Sequence, residues 1–132
     1  MVDKPTEPEV TGQPSHSAAA QISRAIVRLI SHYTGRGPTK ARTTLNTDFA
    51  LVVLDDTLTK GERSLVAAGE IEAVRRQRAT FHRLMRAEAV AAVEEITGRE
   101  VRLSLSNLAP EAGVATELFL FQPRPGDERE GA

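Results

Sequence analysis

The chain has 132 residues, no cysteine, and 17 Lys/Arg against 18 Asp/Glu, a net charge of −1. Without cysteine, disulfides, thiolate nucleophiles and Cys-ligated metals are excluded, and a cytoplasmic setting is expected. The longest apolar run, Phe49 to Leu54, is six residues, far below the ~20 that a membrane helix needs, and the N-terminus has no apolar signal core.

Charge and composition divide the chain into three. Residues 1–16 hold Pro5, Pro8, Gly12 and Pro14 without apolar periodicity, and residues 123–132 hold Pro123, Pro125, Gly126, Gly131 and mostly charges. Both read as disordered tails, because they bury too little to offset chain entropy. Residues 17–122 read as one domain, with 14 Lys/Arg against 12 Asp/Glu, a net +2. That bias is too mild for a nucleic-acid binder, and none is expected.

In chain order, Ser17 to Tyr33 predicts an amphipathic helix. Ile22, Ile26, Leu29, Ile30 and Tyr33 recur at three- and four-residue spacing, Ser17 is a candidate N-cap, and Gly35 a candidate helix stop. Ala41–Leu45 and Phe49–Leu54 predict two strands around the turn residues Asn46-Thr47-Asp48. The nearly continuous Phe-Ala-Leu-Val-Val-Leu predicts a central strand covered on both faces or nearly so. Thr59-Lys60-Gly61-Glu62 matches the capping box ahead of a short helix at about 60–68, which occupies Glu62 as a cap and makes it a poor catalytic residue.

Glu70 to Ile96 predicts the main helix, with an apolar stripe of Ile71, Val74, Phe81, Leu84, Met85, Ala89, Ala92, Val93 and Ile96, ended by Gly98. Val101 to Ser106 alternates, with Val101, Leu103 and Leu105 on one face and Arg102, Ser104 and Ser106 on the other. After a turn at Pro110–Gly113, Val114 to Phe121 predicts a last strand, with Phe119 and Phe121 on one face and Leu118 and Leu120 on the other. The order α-β-β-α-α-β-β predicts an α+β two-layer sandwich, a four-stranded antiparallel sheet with helices on one face.

Few residue groups carry chemistry. Gly35-Arg36-Gly37-Pro38 makes a sharp helix-to-strand corner that aims one arginine. It is no phosphate loop, since a P-loop runs strand, loop, helix. Arg36 meets either an external carboxylate or phosphate, or a carboxylate within the fold. Arg75, Arg76, Arg78, Arg83 and Arg86 crowd the main helix. They read as a solvated helix face or as a docking face for an acidic partner, an anionic ligand or a lipid headgroup. Arg78 interrupts the apolar stripe, so it snorkels or pairs with a buried acid. His16, His32 and His82 have no ligand spacing, Asp55 and Asp56 are adjacent and point apart, and no Ser-His-Asp set appears in an elbow context. No metal, no cofactor and no enzyme activity is expected.

Several segments together resemble the MpsC-like family of bacteria, a component of a Na⁺-translocating, membrane-potential-generating system. They are the Gly35–Pro38 corner after an N-terminal helix, the hairpin leading to Leu58-Thr59, and Glu62 and Leu65 in a short helix. The Arg-rich helix through Arg75, Arg76 and Phe81, and Thr97-Gly98 before Val101, complete the set. The resemblance spans about residues 18–121 and implies a non-enzymatic accessory or regulatory protein, peripheral to the membrane through an ion-translocating partner. It carries the corner as a family mark and no catalytic residue. Two other readings stand beside it. One is an anion- or nucleotide-binding regulatory module using Arg36 and the Arg75–Arg86 face. The other is a homodimeric scaffold joined through a spare sheet edge or an apolar face, with Phe119 and Phe121 as the contact residues.

Overall fold

The computed structural model describes residues 16–126 and the backbone of Glu9 and Val10. Helix α1 spans Ala18–Thr34. It starts where the Ser17 Oγ accepts the Ala20 N–H at 3.1 Å, and stops at Gly35, whose φ of 83° only glycine adopts without a Cβ clash. Ile22, Ile26 and Ile30 are buried along one side. Ser23, also buried, meets Thr43 hydroxyl to hydroxyl at 2.7 Å, which pins the helix to the strand beneath it.

Strand β1 is Glu9–Val10, β2 Lys40–Leu45 and β3 Phe49–Asp55. The β2–β3 turn is closed by Asn46, whose Oδ1 accepts the N–H groups of Asp48 and Phe49 at 2.8 and 2.9 Å. Helix α2, Lys60–Ala67, opens with the capping box foreseen for Thr59 and Glu62. Helix α3, Ile71–Thr97, follows, then β4, Val101–Ala109, and β5, Val114–Phe121. The sheet order is β1-β2-β3-β5-β4. The four strands of the two hairpins are antiparallel throughout, with α1 and α3 on one face: the expected α+β sandwich in the expected order.

Two expectations change. Glu9 and Val10, assigned to a disordered tail, pair in parallel with Lys40 and Ala41 and extend the sheet by a short edge strand; the rest of that tail before His16 lies outside the described residues. Strand β3 is covered on one face only. Ala50, Val52 and Leu54 are buried under the helices, while Phe49, Leu51 and Val53 are half-buried on the open face.

The alternation of β4 divides it into two faces without saying which is inward, and the structure decides it. Its serines face the helices, and Leu103 and Leu105 face outward at 43% and 49% exposure. The register is the reason. Ser106 lies opposite Glu117, and Leu105 opposite Leu118, so the face that takes Phe119 and Phe121 into the core takes the β4 serines with them. Phe119 and Phe121 are therefore core residues and cannot serve as dimer contacts. Phe119 and Phe121 pack with Ile22, Ile26, Ile30, Val52, Leu54, Met85 and Val93 in one core.

Candidate functional site

The Gly35–Pro38 corner is tied inward. The Arg36 guanidinium holds the Asp56 carboxylate at 2.7 Å through Nη2, and its Nη1 donates to the Leu58 carbonyl at 3.0 Å and to the Asp56 carbonyl. Asp56 itself has φ 54°, an uncommon left-handed conformation for a residue with a Cβ. At Gly37 the corner lies against α1, close enough that a Cβ would stand in ordinary contact with Val27 Cγ1 at 3.4 Å. Pro38 is buried. The corner thus clamps the start of β2 to the loop between β3 and α2. Of the two partners open to Arg36, the fold supplies the internal one.

The five arginines of α3 do not share one face. Arg76, Arg83 and Arg86 are exposed. Arg75 donates to the Leu108 carbonyl at 3.2 Å and lies 3.5 Å from Glu72 and 3.9 Å from Glu111. Arg78 is 1% exposed. Its guanidinium forks onto Glu62, Nε to Oε2 at 2.7 Å and Nη2 to Oε1 at 2.8 Å, and Nη2 also donates to the Thr57 carbonyl. Glu62 receives the Thr59 amide as well, so one carboxylate caps α2 and neutralises a buried cation of α3. Burial alone would raise the Glu62 carboxyl. The hydrogen bonds from Arg78 and from Thr59 outweigh that and hold it below the usual carboxylate range.

The buried stripe of α3 is Val74, Arg78, His82, Met85, Ala89 and Val93. It runs through two polar positions and leaves Leu84, expected inside, 58% exposed, with Phe81 at the flank. One turn beyond Arg78, His82 Nε2 lies 3.2 Å from Glu117 Oε1 of β5, and neither atom makes a hydrogen bond. The Ser106 hydroxyl donates to the other Glu117 oxygen. A cleft of about 120 Å³ between Arg75, Ala79, His82, Ser106 and Asn107 opens beside the pair.

Burial pushes the Glu117 carboxyl up to about 7, against the opposing influence of Ser106, Arg86 and Arg78. Burial, reinforced by the charges of Arg78 and Arg86, pushes His82 down to about 4. Between about pH 4 and 7 these leave His82 neutral and a proton on Glu117, so the pair faces across 3.2 Å without being an ion pair. The arrangement can hold and release one proton. Among the described residues no three His, Cys, Asp or Glu side chains converge as metal ligands.

Glu117 and its partnership with His82 were absent from the sequence reading. The available signal was parity: Glu117 shares the inward face of β5 with Phe119 and Phe121, and Arg78 and His82 are spaced i, i+4 on the stripe that begins at Val74.

No helix among the described residues is long and apolar enough to cross a membrane. No curated protein and no solved structure matches the chain. A family model described as Na⁺-translocating membrane potential-generating system (MpsC) matches residues 15–123, a span that covers all three helices and all four antiparallel strands. The chain therefore belongs to the MpsC family.

Proposed function

We propose that this protein is a non-enzymatic accessory or regulatory component of a Na⁺-translocating, membrane-potential-generating system, acting from the cytoplasmic side through a membrane-embedded partner. The family match over nearly the whole fold carries the reading. The geometry agrees with it in one respect. The two most conspicuous arginines, Arg36 and Arg78, are occupied by Asp56 and Glu62, so neither is free to receive a nucleotide or another anion. What the fold offers a partner is surface: an open sheet face bearing Leu51, Leu103, Leu105, Leu118 and Leu120.

The test is physiological. Cells deleted for the gene, energised in Na⁺ medium, should show a reduced membrane potential by voltage-sensitive dye, restored by the wild-type chain. Affinity capture from detergent-solubilised membranes should recover an ion-translocating membrane protein. An unchanged potential together with no such partner would overturn the proposal.

A further inference from the structure

Strand β4 ends the sheet, and no described residue lies alongside its outer edge. Leu108 shows which of its backbone groups point outward: its N–H is taken by the Asn107 Oδ1 at 2.9 Å and its carbonyl by Arg75. Counting back by two, the N–H and C=O groups of Ser106 and Ser104 point the same way. At the other end, a register shift lies between Val101 and Leu103, and the Val101 N–H is taken by Glu94 Oε2 at 2.8 Å. The edge is thus closed at Val101 and at Leu108, and bare between them, with Ser104 near the middle.

A bare edge is a template for another strand, and natural sheets normally blunt it with proline, lysine or an inward charge. The stretch Arg102-Leu103-Ser104-Leu105-Ser106 carries one charge and no proline. It is also the place where the open face is least covered. Leu118 and Leu120 have strands on both sides, whereas Leu103 and Leu105 lack a neighbour on one and are the most exposed apolar side chains of the sheet.

We infer that β4 pairs antiparallel with β4 of a second copy about a twofold axis at Ser104, joining two sheets into one. The window fits itself. With Ser104 opposite its own copy, Leu103 falls opposite Leu105 of the second copy and Leu105 opposite Leu103, so four leucines close the seam on the open face. Arg102 falls opposite Ser106, so no like charges oppose each other along the strands. The outward backbone groups of Ser104 and Ser106 gain partners that no described residue supplies. An isologous contact needs such a self-complementary patch. A strand from a different protein would satisfy the backbone but has no reason to supply the leucine pairs in this register. This inference is independent of the membrane-partner reading, and its test uses the isolated protein.

Sedimentation equilibrium of the purified chain should give a mass twice that of the monomer. Ser104→Pro deletes an outward N–H that the fold does not use, and Leu105→Lys places a charge at the seam. Each should weaken dimerisation by at least about tenfold while leaving the far-ultraviolet circular dichroism unchanged. Leu84→Lys, at an exposed leucine remote from the edge, should leave the dimer intact. The register has its own readout, because the chain has no other cysteine. Leu103→Cys mixed with Leu105→Cys should form a disulfide heterodimer on mild oxidation faster than either variant alone. A chain that stays monomeric at about millimolar concentration, where even weak specific association is populated, would overturn the inference. So would a dimer that survives both edge variants, or cross-linking that is faster within each cysteine variant than between them.

Discussion

Two buried pairs sit one helical turn apart on α3 and resolve the same problem in opposite ways. Arg78 and His82 both project from the core stripe, and each faces a single carboxylate, Glu62 or Glu117. Around Arg78 the ionised form prevails. The guanidinium cannot lose its proton, its fork matches the carboxylate, and Thr59 and Thr57 supply the remaining hydrogen bonds. Around His82 the neutral form prevails. Imidazole can shed its proton, burial favours that, and the nearby arginine charges add to the pressure. Both pairs are buried; Glu62 stays ionised because a permanent guanidinium and the Thr59 amide bond it, whereas Glu117 has only the Ser106 hydroxyl and a base that sheds its proton.

The largest effect is expected from breaking the first pair. Arg78→Met should strand a buried carboxylate and Glu62→Gln a buried guanidinium, each costing about 3–5 kcal/mol, a drop in Tm of roughly 10–20 °C. Glu62→Gln keeps an acceptor for the Thr59 amide, so its cost reports on the ion pair more than on the helix cap. Thermal unfolding by circular dichroism checks both. A loss below about 1 kcal/mol in each, the range of surface pairs, would show that the pair is not sealed from water.

The second pair yields an effect of intermediate size whose sign depends on pH. Glu117 is raised from 4.5 to about 7 on folding and His82 lowered from 6.5 to about 4. Between about pH 4.5 and 6.5 the folded pair holds its one proton on Glu117, while the unfolded chain holds one on His82. The proton counts match, and the pair contributes no slope to stability there. Removing either partner uncovers the other. In His82→Gln, Glu117 remains, and its raised value means stability present below pH 4.5 is lost as pH rises toward 7. In Glu117→Gln, His82 remains, and its lowered value means stability present above pH 6.5 is lost as pH falls toward 4. Each swing is on the order of 2–3 kcal/mol. Urea titrations of both variants and the wild type across this range test it. Parallel curves for all three would remove the proton-sharing account.

This contrast also explains which parts of the fold were legible in the sequence. Element ends were, because Ser17, Gly35, Thr59, Glu62 and Gly98 each have a specific backbone task that their chemistry announces. The Gly35–Pro38 corner was legible for the same reason. The inside of the sandwich was less so. Alternation divides a strand into two faces without saying which is inward, and for β4 only the register with β5 decides it. A polar residue on a core stripe looks like an interruption until its partner is known. Glu62 lies 16 residues before Arg78, and Glu117 lies 35 after His82. No local pattern links them. Tertiary packing alone brings each acidic side chain to its basic partner.

The smallest effect is expected at Arg36–Asp56, the exposed counterpart of Arg78–Glu62. These side chains retain 31% and 47% of their exposure, so water screens the pair and Arg36→Ala should cost only about 1 kcal/mol, most of it from hydrogen bonds to the Leu58 and Asp56 carbonyls. Asp56 adds a backbone contribution, because its φ of 54° is costly for any residue but glycine. Asp56→Ala loses the carboxylate and keeps the strain, while Asp56→Gly loses the carboxylate and relieves it. The glycine variant should therefore be more stable than the alanine variant by about 0.5–1 kcal/mol. Chemical denaturation of the three variants measures this directly. An Arg36→Ala chain as stable as wild type but deficient in capturing its membrane partner would move Arg36 from the inside of the fold to its working surface. A destabilised chain that still captures the partner would fix the corner as a clamp between β2 and the β3–α2 loop.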